Sequence, residues 1–348
     1  MTLFSPNPHY TRVNVQDVAG AQTQYSFRVD ERRMKLSKVF ITGGTGYVGS
    51  RLISEVIKEG KEAVVLTRSA EKARELEAKG VEAIVGDLLS DGVWQNVIRQ
   101  AEYIIHLAAP PTWGKKVTKK VATTYKKGHY EMTVRLLNHA NPAVIKKIVY
   151  VAGTSFLGDT GSDVPRDNNY SDEPKGWGPY IADSVHVLDR YLEQGLPITT
   201  AFPAQIYGPD SWMPQLFIEP LYLNKPVYSL KGYEPYFSPI HVADTARACL
   251  YLTEHGKTGE RYILCDDQPM TSKAFKHLIE KELNVTGKVR EIPRWLCQMI
   301  LGPVLTEYAT AHTYFTNQKL KKIGFQFRYP TAVEGVPGVV REWISNQT

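Results

Sequence analysis

The sequence contains few cysteines and no long apolar run. Its three cysteines, Cys249, Cys265 and Cys297, are widely separated among 348 residues and form no metal-ligand pair, so we expect no metal site. This scarcity excludes a disulfide framework and is typical of a reduced, cytoplasmic protein, which is the localisation that we expect. No stretch approaches the roughly 20 apolar residues that span a bilayer, so we predict no membrane partner.

A strong charge imbalance is also missing. The formal net charge is +6 at pH 7, which is modest for this length and gives no nucleic-acid signature, so we expect no nucleic-acid partner. We find no internal repeat and no low-complexity tract. A hydrophobic content of 43% is ordinary for a globular protein. The length is sufficient for one large α/β domain and a smaller substrate-binding part.

The first residues of the chain are polar, with scattered aromatic side chains. They contain no apolar core of the kind that a signal peptide requires. We interpret residues 1–35 as an N-terminal extension, whose role the sequence does not indicate.

A glycine-rich turn after the first clear strand is the most informative feature. Val39–Ile41 has the pattern of a buried strand, and a helical apolar pattern follows the turn. Gly43 permits a tight turn, Gly46 lets the backbone approach a pyrophosphate, and Gly49 lets the helix pack on the strand. The helix N-terminus adds N–H donors and a partial positive charge. This arrangement predicts a dinucleotide site, although glycine-rich turns also occur for purely structural reasons.

The turn and the segments after it resemble the extended short-chain dehydrogenase/reductase family, which is NAD(P)-dependent and epimerase/dehydratase-like. The resemblance covers roughly residues 36–343. It implies an α/β fold, a Rossmann-type doubly wound parallel sheet with a smaller discontinuous C-terminal lobe. We predict that residues 36–210 form the NAD(P)-binding domain, which also receives about 236–254, and that 211–348 mainly form the substrate lobe.

The second predicted strand ends in Arg68. An acid at this position accepts hydrogen bonds from the adenosine ribose, whereas an arginine suits a 2′-phosphate. Arg68 therefore favours NADP(H) over NAD(H); the alternative is a solvated surface arginine. The resemblance implies that Asp87 lies beside the adenine. It further implies that the cofactor contacts Thr45, Tyr47, Val48, Leu88, Ala108, Ala109, Pro110, Tyr180, Pro203 and Ile206.

Two hydroxyl side chains follow the fifth predicted strand. The resembled family places a serine or threonine here to hydrogen-bond the reacting oxygen. Thr154 is our first candidate and Ser155 the second, and a structural hydroxyl in a turn is the alternative.

Tyr180 matches the catalytic tyrosine of the resembled family, near the start of a predicted helix over 178–194. The family motif is Tyr-x-x-x-Lys, but Ser184 stands in place of the lysine. In the family this lysine makes the tyrosine more acidic and holds the nicotinamide ribose. We retain Ser184 as a catalytic-site residue that can form a hydrogen bond but has no charge. An unassisted tyrosine is protonated at neutral pH, so it donates protons well and is a poor base.

Three further segments depart from the family or stay open. His129 stands where the family usually has an asparagine that helps to hold a water molecule of the proton relay. Tyr236–Ser238 stands where nucleotide-sugar enzymes usually have an arginine that holds the diphosphate. The stretch 292–314 is apolar and aromatic and forms either the roof of a pocket or a cover of the core. A run of lysines predicts a solvated helix face, with an anionic substrate group as the alternative; it comprises Lys115, Lys116, Lys119, Lys120, Lys126 and Lys127.

These observations predict an NADP(H)-dependent oxidoreductase that acts on a carbonyl or alcohol of a small, largely apolar substrate, with Tyr180 as the proton donor. The alternatives are a sugar epimerase or dehydratase, and a cofactor-binding protein without turnover. Loss of the lysine argues against an epimerase more than against a reductase, because an epimerase must oxidise first. A homodimer is left open.

Overall fold

The computed structural model describes residues 10–16, 22–28, 37–112 and 116–347. The chain divides into two compact units, residues 1–37 and residues 38–348. In the first unit, β1 (Tyr10–Gln16) pairs antiparallel with β2 (Gln22–Arg28). The predicted N-terminal extension therefore contains two paired strands, and its other residues up to 36 lie outside the described part of the chain.

The second unit contains strands and helices in alternation. Its strands are β3 (Lys38–Thr42), β4 (Glu62–Thr67), β5 (Glu82–Val85), β6 (Tyr103–His106), β7 (Lys147–Val151), β8 (Ile198–Pro203), β9 (Gln205–Tyr207), β10 (Val227–Leu230), β11 (Tyr236–Phe237), β12 (Pro239–His241), β13 (Arg261–Leu264), β14 (Met270–Thr271) and β15 (Val289–Ile292). Its α-helices are α1 (Tyr47–Lys58), α2 (Ala70–Glu77), α3 (Trp94–Ile98), α4 (Lys119–His139), α5 (Gly178–Glu193), α6 (Glu219–Tyr222), α7 (Val242–His255), α8 (Ser272–Leu283), α9 (Arg294–Leu301), α10 (Pro303–Thr310), α11 (Gln318–Lys322) and α12 (Ala332–Ser345). A 3₁₀ helix covers Thr154–Leu157 and a π-helix covers Pro214–Ile218.

Seven strands form one parallel sheet in the order β5-β4-β3-β6-β7-β8-β13. The chain moves outward from β3 through β4 to β5, and it then returns to the other side of β3 at β6. Thr42 of β3 lies opposite His106 of β6 where the direction reverses. Such a reversal leaves a crevice at the carboxyl ends of the strands. The predicted doubly wound Rossmann-type sheet is confirmed.

Helices cover both faces of this sheet. Val39 and Ile41 of β3 belong to one buried cluster with Leu52 of α1, whereas Phe40 belongs to a second cluster with Leu188 of α5. Successive side chains of a strand point to opposite faces, so a strand that is apolar on both sides must be covered twice. This requirement explains the continuous apolar runs in the central strands.

A third apolar cluster forms after β8, around the ring of Phe275 in α8. The rings of Tyr207, Trp212, Phe217 and Phe237 surround it, with centroids 5.4–5.8 Å away. Trp212, Phe217 and Phe237 therefore pack in this cluster, whereas Tyr222, Tyr228 and Tyr233 are 40–58% exposed. The predicted division between a nucleotide domain and a substrate lobe stays a prediction.

Two composition-based expectations can be compared with the structure. Cys249, Cys265 and Cys297 are buried and unpaired, each apart from the others. None of the helices in the described ranges is long and apolar enough to cross a membrane.

Candidate functional site

A cleft of about 410 Å³ opens at the carboxyl ends of β3, β6, β7 and β8. One wall consists of the turns that follow these four strands. The opposite wall consists of side chains from α4, α5 and α10. The cleft therefore lies where the sheet changes direction, which is the usual ligand site of an open α/β sheet.

The glycine turn forms the floor of this cleft, and all three predicted glycines line it. Gly43 has a φ of +72°, and a Cβ there would lie 2.8 Å from the carbonyl carbon of Leu107. A Cβ on Gly49 would lie 2.2 Å from the carbonyl oxygen of Gly43. A Cβ on Gly46 would meet only that same oxygen, at 3.2 Å, and would otherwise project into open space. The turn therefore has no room for a side chain at Gly43 or Gly49, whereas free volume lies next to Gly46.

The N-terminus of α1 points its donors at this volume. Gly46 is the N-cap, no side chain caps the helix, and its first turn contains no acidic residue. Uncapped N–H groups and the helix dipole attract an anion. A dinucleotide pyrophosphate fits this turn, because it needs close backbone approach at Gly46 and supplies the missing acceptors.

Several other predicted cofactor residues also line the cleft; they are Tyr47, Val48, Ala108, Ala109, Pro203 and Ile206. The hydroxyl oxygen of Tyr47 lies next to Gly208, because a Cβ added to that glycine would be 2.7 Å from it. The hydroxyl is therefore turned away from the dinucleotide turn. That hydroxyl is buried without a hydrogen-bond partner among the described residues, and burial raises the pKa of Tyr47. Tyr47 therefore offers its backbone and ring to the cleft.

The remaining predicted cofactor residues are not among those that line the cleft; they are Thr45, Arg68, Asp87, Leu88, Pro110 and Tyr180. Arg68 is exposed at the end of β4. One carboxylate oxygen of Asp87 accepts a hydrogen bond from the backbone N–H of Leu89 at 2.9 Å. The side chain of Leu88 is buried in the core, so only its backbone remains for a cofactor contact.

Both predicted hydroxyl residues are in the cleft wall. Thr154 and Ser155 lie in the 3₁₀ helix directly after β7, and both line the cleft. Their side chains are nearly buried, so a substrate oxygen that reached them would be shielded from water. The structure brings these hydroxyls into the same cavity as the glycine turn, while their catalytic role stays a prediction.

Helix α5 turns one face toward the cleft, but Tyr180 lies at the edge of that face. Trp177 and Ile181 line the cleft, whereas Tyr180 does not. The partly buried ring of Tyr180 packs instead against the apolar cluster that includes Val117 and Val304. The helix predicted over 178–194 is present as α5. The ring of Tyr180 points toward this apolar cluster because its contacts there are favourable.

Ser184, at the position of the motif lysine, is buried and paired with a histidine. The Nδ1 atom of His129 lies 2.7 Å from the hydroxyl oxygen of Ser184. The ring of Tyr125 stacks on His129 with centroids 5.3 Å apart, and both rings line the cleft. Burial lowers the pKa of His129 to about 4, so its imidazole is neutral at pH 7. The serine hydroxyl is thus engaged by a neutral histidine that itself borders the cleft.

Tyr308 of α10, within the aromatic stretch 292–314, completes the wall. Its hydroxyl donates a hydrogen bond to Oε1 of Gln205 at 2.6 Å, and burial raises its pKa to about 12. Within the stretch 292–314, α10 therefore contributes to a roof for the cleft, one of the two alternatives that the sequence left open. Tyr125 and Trp177 were missed, because an isolated aromatic gives no sequence signal for a pocket.

Three buried histidines predict loss of stability in mild acid. Burial lowers the pKa of His106 to about 3 and that of His129 and of His241 to about 4, with nearby positive charge contributing at His106 and His241. Below pH 6.5 the unfolded chain binds protons at these positions and the folded chain does not, so stability falls with falling pH. Between pH 6.5 and 5 we expect a loss of about 1.6 kcal/mol for each histidine.

Urea unfolding at pH 6.5 and pH 5 measures this effect. The variant His106→Gln should flatten the pH dependence. Equal or greater stability of the wild type at pH 5 would contradict the assignment of neutral buried imidazoles.

Comparison with known proteins identifies the family. The model of the NAD dependent epimerase/dehydratase family matches residues 39–265, more than half of the chain. The chain belongs to this family. The predicted resemblance to extended short-chain reductases and epimerases is thereby confirmed, and NAD(P)-type nucleotide cofactors are a property of the family.

Relatives within the family include reductases. A 4-hydroxy-2-methyl-3-oxo-4-farnesyl-3,4-dihydroquinoline-1-oxide ketoreductase of Stigmatella aurantiaca is 27% identical over 263 residues, which cover 74% of this chain and 76% of the relative. A putative dihydroflavonol 4-reductase of Synechocystis is 26% identical over 272 residues, with the same two coverages. These relatives support a nucleotide-dependent oxidoreductase or epimerase.

A solved structure of the family has the same fold. The UDP-glucose 4-epimerase of Thermus thermophilus, in complex with NAD, superposes with a TM-score of 0.74 over 88% of this chain and 99% of that one. The two chains are 18% identical. At this identity the likeness concerns the fold of this epimerase/dehydratase family member and not its substrate.

Proposed function

We propose that this epimerase/dehydratase family member is an NADP(H)-dependent oxidoreductase that acts on a carbonyl or alcohol of a small, largely apolar substrate. One observation carries the proposal: a dinucleotide turn and an apolar, aromatic wall share a single cleft. The wall consists of Tyr125, Trp177, Ile181 and Tyr308, and Thr154 and Ser155 are the hydroxyls beside it. An apolar substrate would be held by the wall and oriented by the hydroxyls.

The charge of the cleft favours this substrate class over a nucleotide sugar. No lysine or arginine is found among the described residues that line the cleft. A sugar nucleotide would add a second diphosphate to the one that the N-terminus of α1 can hold, and burying that further charge without a partner is costly. The Stigmatella relative, named as a ketoreductase of a farnesylated ring system, supports an apolar carbonyl substrate.

Bound NADP(H) would supply or accept the hydride. The turn at Gly43, Gly46 and Gly49 would hold its pyrophosphate through backbone N–H groups. Thr154, with Ser155 as the second candidate, would donate a hydrogen bond to the substrate oxygen and stabilise the negative charge that develops there.

Tyr180 is the proposed proton donor to that oxygen. Reaching the cleft requires its side chain to rotate away from Val117 and Val304, against which it packs. His129 already borders the cleft, and its Nε2–H points away from the Ser184 contact when Nδ1 accepts a hydrogen bond from the serine hydroxyl. The neutral His129–Ser184 pair takes the place of the charged lysine and orients the polar end of the cleft.

Arg68→Ala is expected to remove most of the preference for NADP(H). Arg68 is exposed, and no carboxylate pairs with it within the described ranges, so it is available to a 2′-phosphate. A charge-assisted contact of this kind contributes about 1.5–3 kcal/mol, a factor of about ten or more in affinity. Calorimetric titration with NADPH and NADH measures the preference. Arg74→Ala, at an exposed position on α2, is the matched control, and equal wild-type affinity for the two cofactors would contradict the role of Arg68.

Turnover tests the proposed reaction class. Purified protein and NADPH are mixed with a panel of apolar aldehydes and ketones and, separately, with nucleotide sugars. We expect NADPH oxidation with members of the first panel and not with the second. Conversion of a nucleotide sugar without net cofactor consumption would instead support an epimerase.

A further inference from the structure

Helix α9 presents its apolar side to solvent. Cys297 is the buried residue of the helix, and Trp295 and Met299 lie one turn apart on the opposite side. Each is 61% exposed, and Ile300 beside them is 57% exposed. We refer to Trp295, Met299 and Ile300 as the α9 face. Single exposed apolar residues are ordinary on a protein surface, but three large ones on one short helix form a patch.

Lysines border the C-terminal end of the α9 face. The backbone N–H of Val117 donates a hydrogen bond to the carbonyl oxygen of Leu301 at 2.9 Å. This contact brings Lys116, Lys119 and Lys120 to the end of α9, and all three are exposed. No carboxylate forms an ion pair with them in the described part of the chain.

The sequence around these lysines contains no compensating charge. No aspartate or glutamate lies between Glu102 and Glu131. The solvated-face interpretation accounts for the exposure of the lysines but not for a stretch of this length without an acid. Nor do the lysines enter the cleft, since none of the described ones lines it.

Further cations come just before the α9 face in the chain. Arg294 begins the helix, with its guanidinium 5.9 Å from the ring centroid of Tyr233. Lys288 and Arg290, just before and within β15, are exposed. Glu291 is the acid in this group, so positive charge predominates just before the α9 face as well as at its C-terminal end.

We propose that the α9 face and its basic border bind an anionic lipid surface. A helix with large apolar residues on one side and flanking lysine and arginine side chains lies in the interface of a bilayer, where cations contact anionic headgroups. A second copy of this chain is a poorer fit, because a twofold contact would bring the same cations against one another. The inference does not rest on the proposed reaction, and it replaces the expectation of no membrane partner.

The location of the α9 face gives the contact a consequence. Helix α10 follows α9 directly through Gly302, and it carries Tyr308 in the cleft wall. A protein held at the bilayer by α9 would have the roof of its cleft next to the lipid. An apolar substrate dissolved in the membrane would then be close to the site.

Vesicle flotation tests the proposal with the full-length protein. Vesicles of phosphatidylcholine alone and of phosphatidylcholine mixed with phosphatidylserine are the probes. We expect binding to the second kind, weakened by salt because exposed charges are screened. Trp295→Ala combined with Met299→Ala should lower the partition coefficient at least about a hundredfold. Lys119→Ala combined with Lys120→Ala should lower it about thirtyfold.

Controls on other surfaces keep the test specific. Val93→Ala, at a residue that is 69% exposed beside α3, and Lys79→Ala, after α2, should leave vesicle binding unchanged. Wild-type protein that ignores phosphatidylserine vesicles would overturn the proposal. So would binding that survives the α9 double variant, or a dimer in the absence of lipid that the same variant dissociates.

Discussion

Gly46→Val is expected to abolish dinucleotide binding while the fold persists. The backbone at Gly46 is extended, with φ −87° and ψ −178°, a conformation that valine adopts readily. Its Cβ would approach only the carbonyl oxygen of Gly43, at 3.2 Å, and its methyl groups would enter the cleft. Loss of two charge-assisted hydrogen bonds, at about 1.5 kcal/mol or more each, lowers affinity at least about a hundredfold. Calorimetric titration with NADPH measures the loss.

The matched control is Gly338→Val in α12, where a Cβ meets no atom within 4 Å. This variant should bind as the wild type does, and thermal unfolding should show both proteins folded. If Gly46→Val bound NADPH with unchanged affinity, the assignment of the dinucleotide site to this turn would be wrong. Gly49→Val is a poorer probe, because its Cβ would overlap the backbone of Gly43 and Gly44 and disturb the turn itself.

Tyr180→Phe is expected to slow both directions of the reaction by about a hundredfold or more, the usual contribution of a positioned proton donor. The variant keeps the ring against Val117 and Val304, so packing is preserved. With no lysine beside it, Tyr180 is better suited to donate a proton than to abstract one, so wild-type carbonyl reduction should exceed alcohol oxidation at neutral pH. Oxidation should rise toward alkaline pH. Rate profiles against pH for both directions measure these effects.

His129→Gln separates the two polar groups of the site. Glutamine retains a hydrogen-bonding neighbour for Ser184, so a purely orienting role for His129 predicts a smaller loss than in Tyr180→Phe. Full activity in Tyr180→Phe together with an inactive His129→Gln would contradict the role of Tyr180. The hydrogen bond to the substrate oxygen would then come from the histidine, which already borders the cleft.

Local patterns were sufficient to predict the sheet and the turn. Val39–Ile41 is apolar at every position because the strand is covered on both faces, and this short run before a glycine-rich turn predicts a buried strand. Gly43 and Gly49 occupy positions where a Cβ would overlap the backbone. The spacing of these glycines in the sequence therefore predicts the shape of the turn. The order of the strands required the resemblance as well, since strand order depends on contacts between distant segments.

Side-chain directions within the site were not predictable in the same way. Tyr180 is turned by Val117 and Val304, which are distant from it in sequence, and no local pattern reports such a contact. The pairing of His129 with Ser184 joins positions 55 residues apart. The sequence shows that each of these two residues differs from the family motif. Only the fold shows that their side chains are in contact.

The stretch 292–314 illustrates a further gap. Its apolar composition left open a roof over the cleft or a cover on the core, and the structure divides it between two roles. Tyr308 of α10 lines the cleft, whereas Trp295 and Met299 of α9 face solvent. Hydrophobicity predicts burial on average, and exposed exceptions appear only when the neighbours are known.

Transfer of a labelled hydride tests the central claim most directly. Wild-type protein is incubated with NADPH deuterated at C4 of the nicotinamide and with the apolar aldehydes and ketones, and the products are analysed by mass spectrometry. An oxidoreductase of the proposed kind places deuterium on the carbinol carbon of at least one product. Tight NADPH binding with no labelled product from any carbonyl compound would contradict the claim, and it would assign the cleft to cofactor binding without turnover.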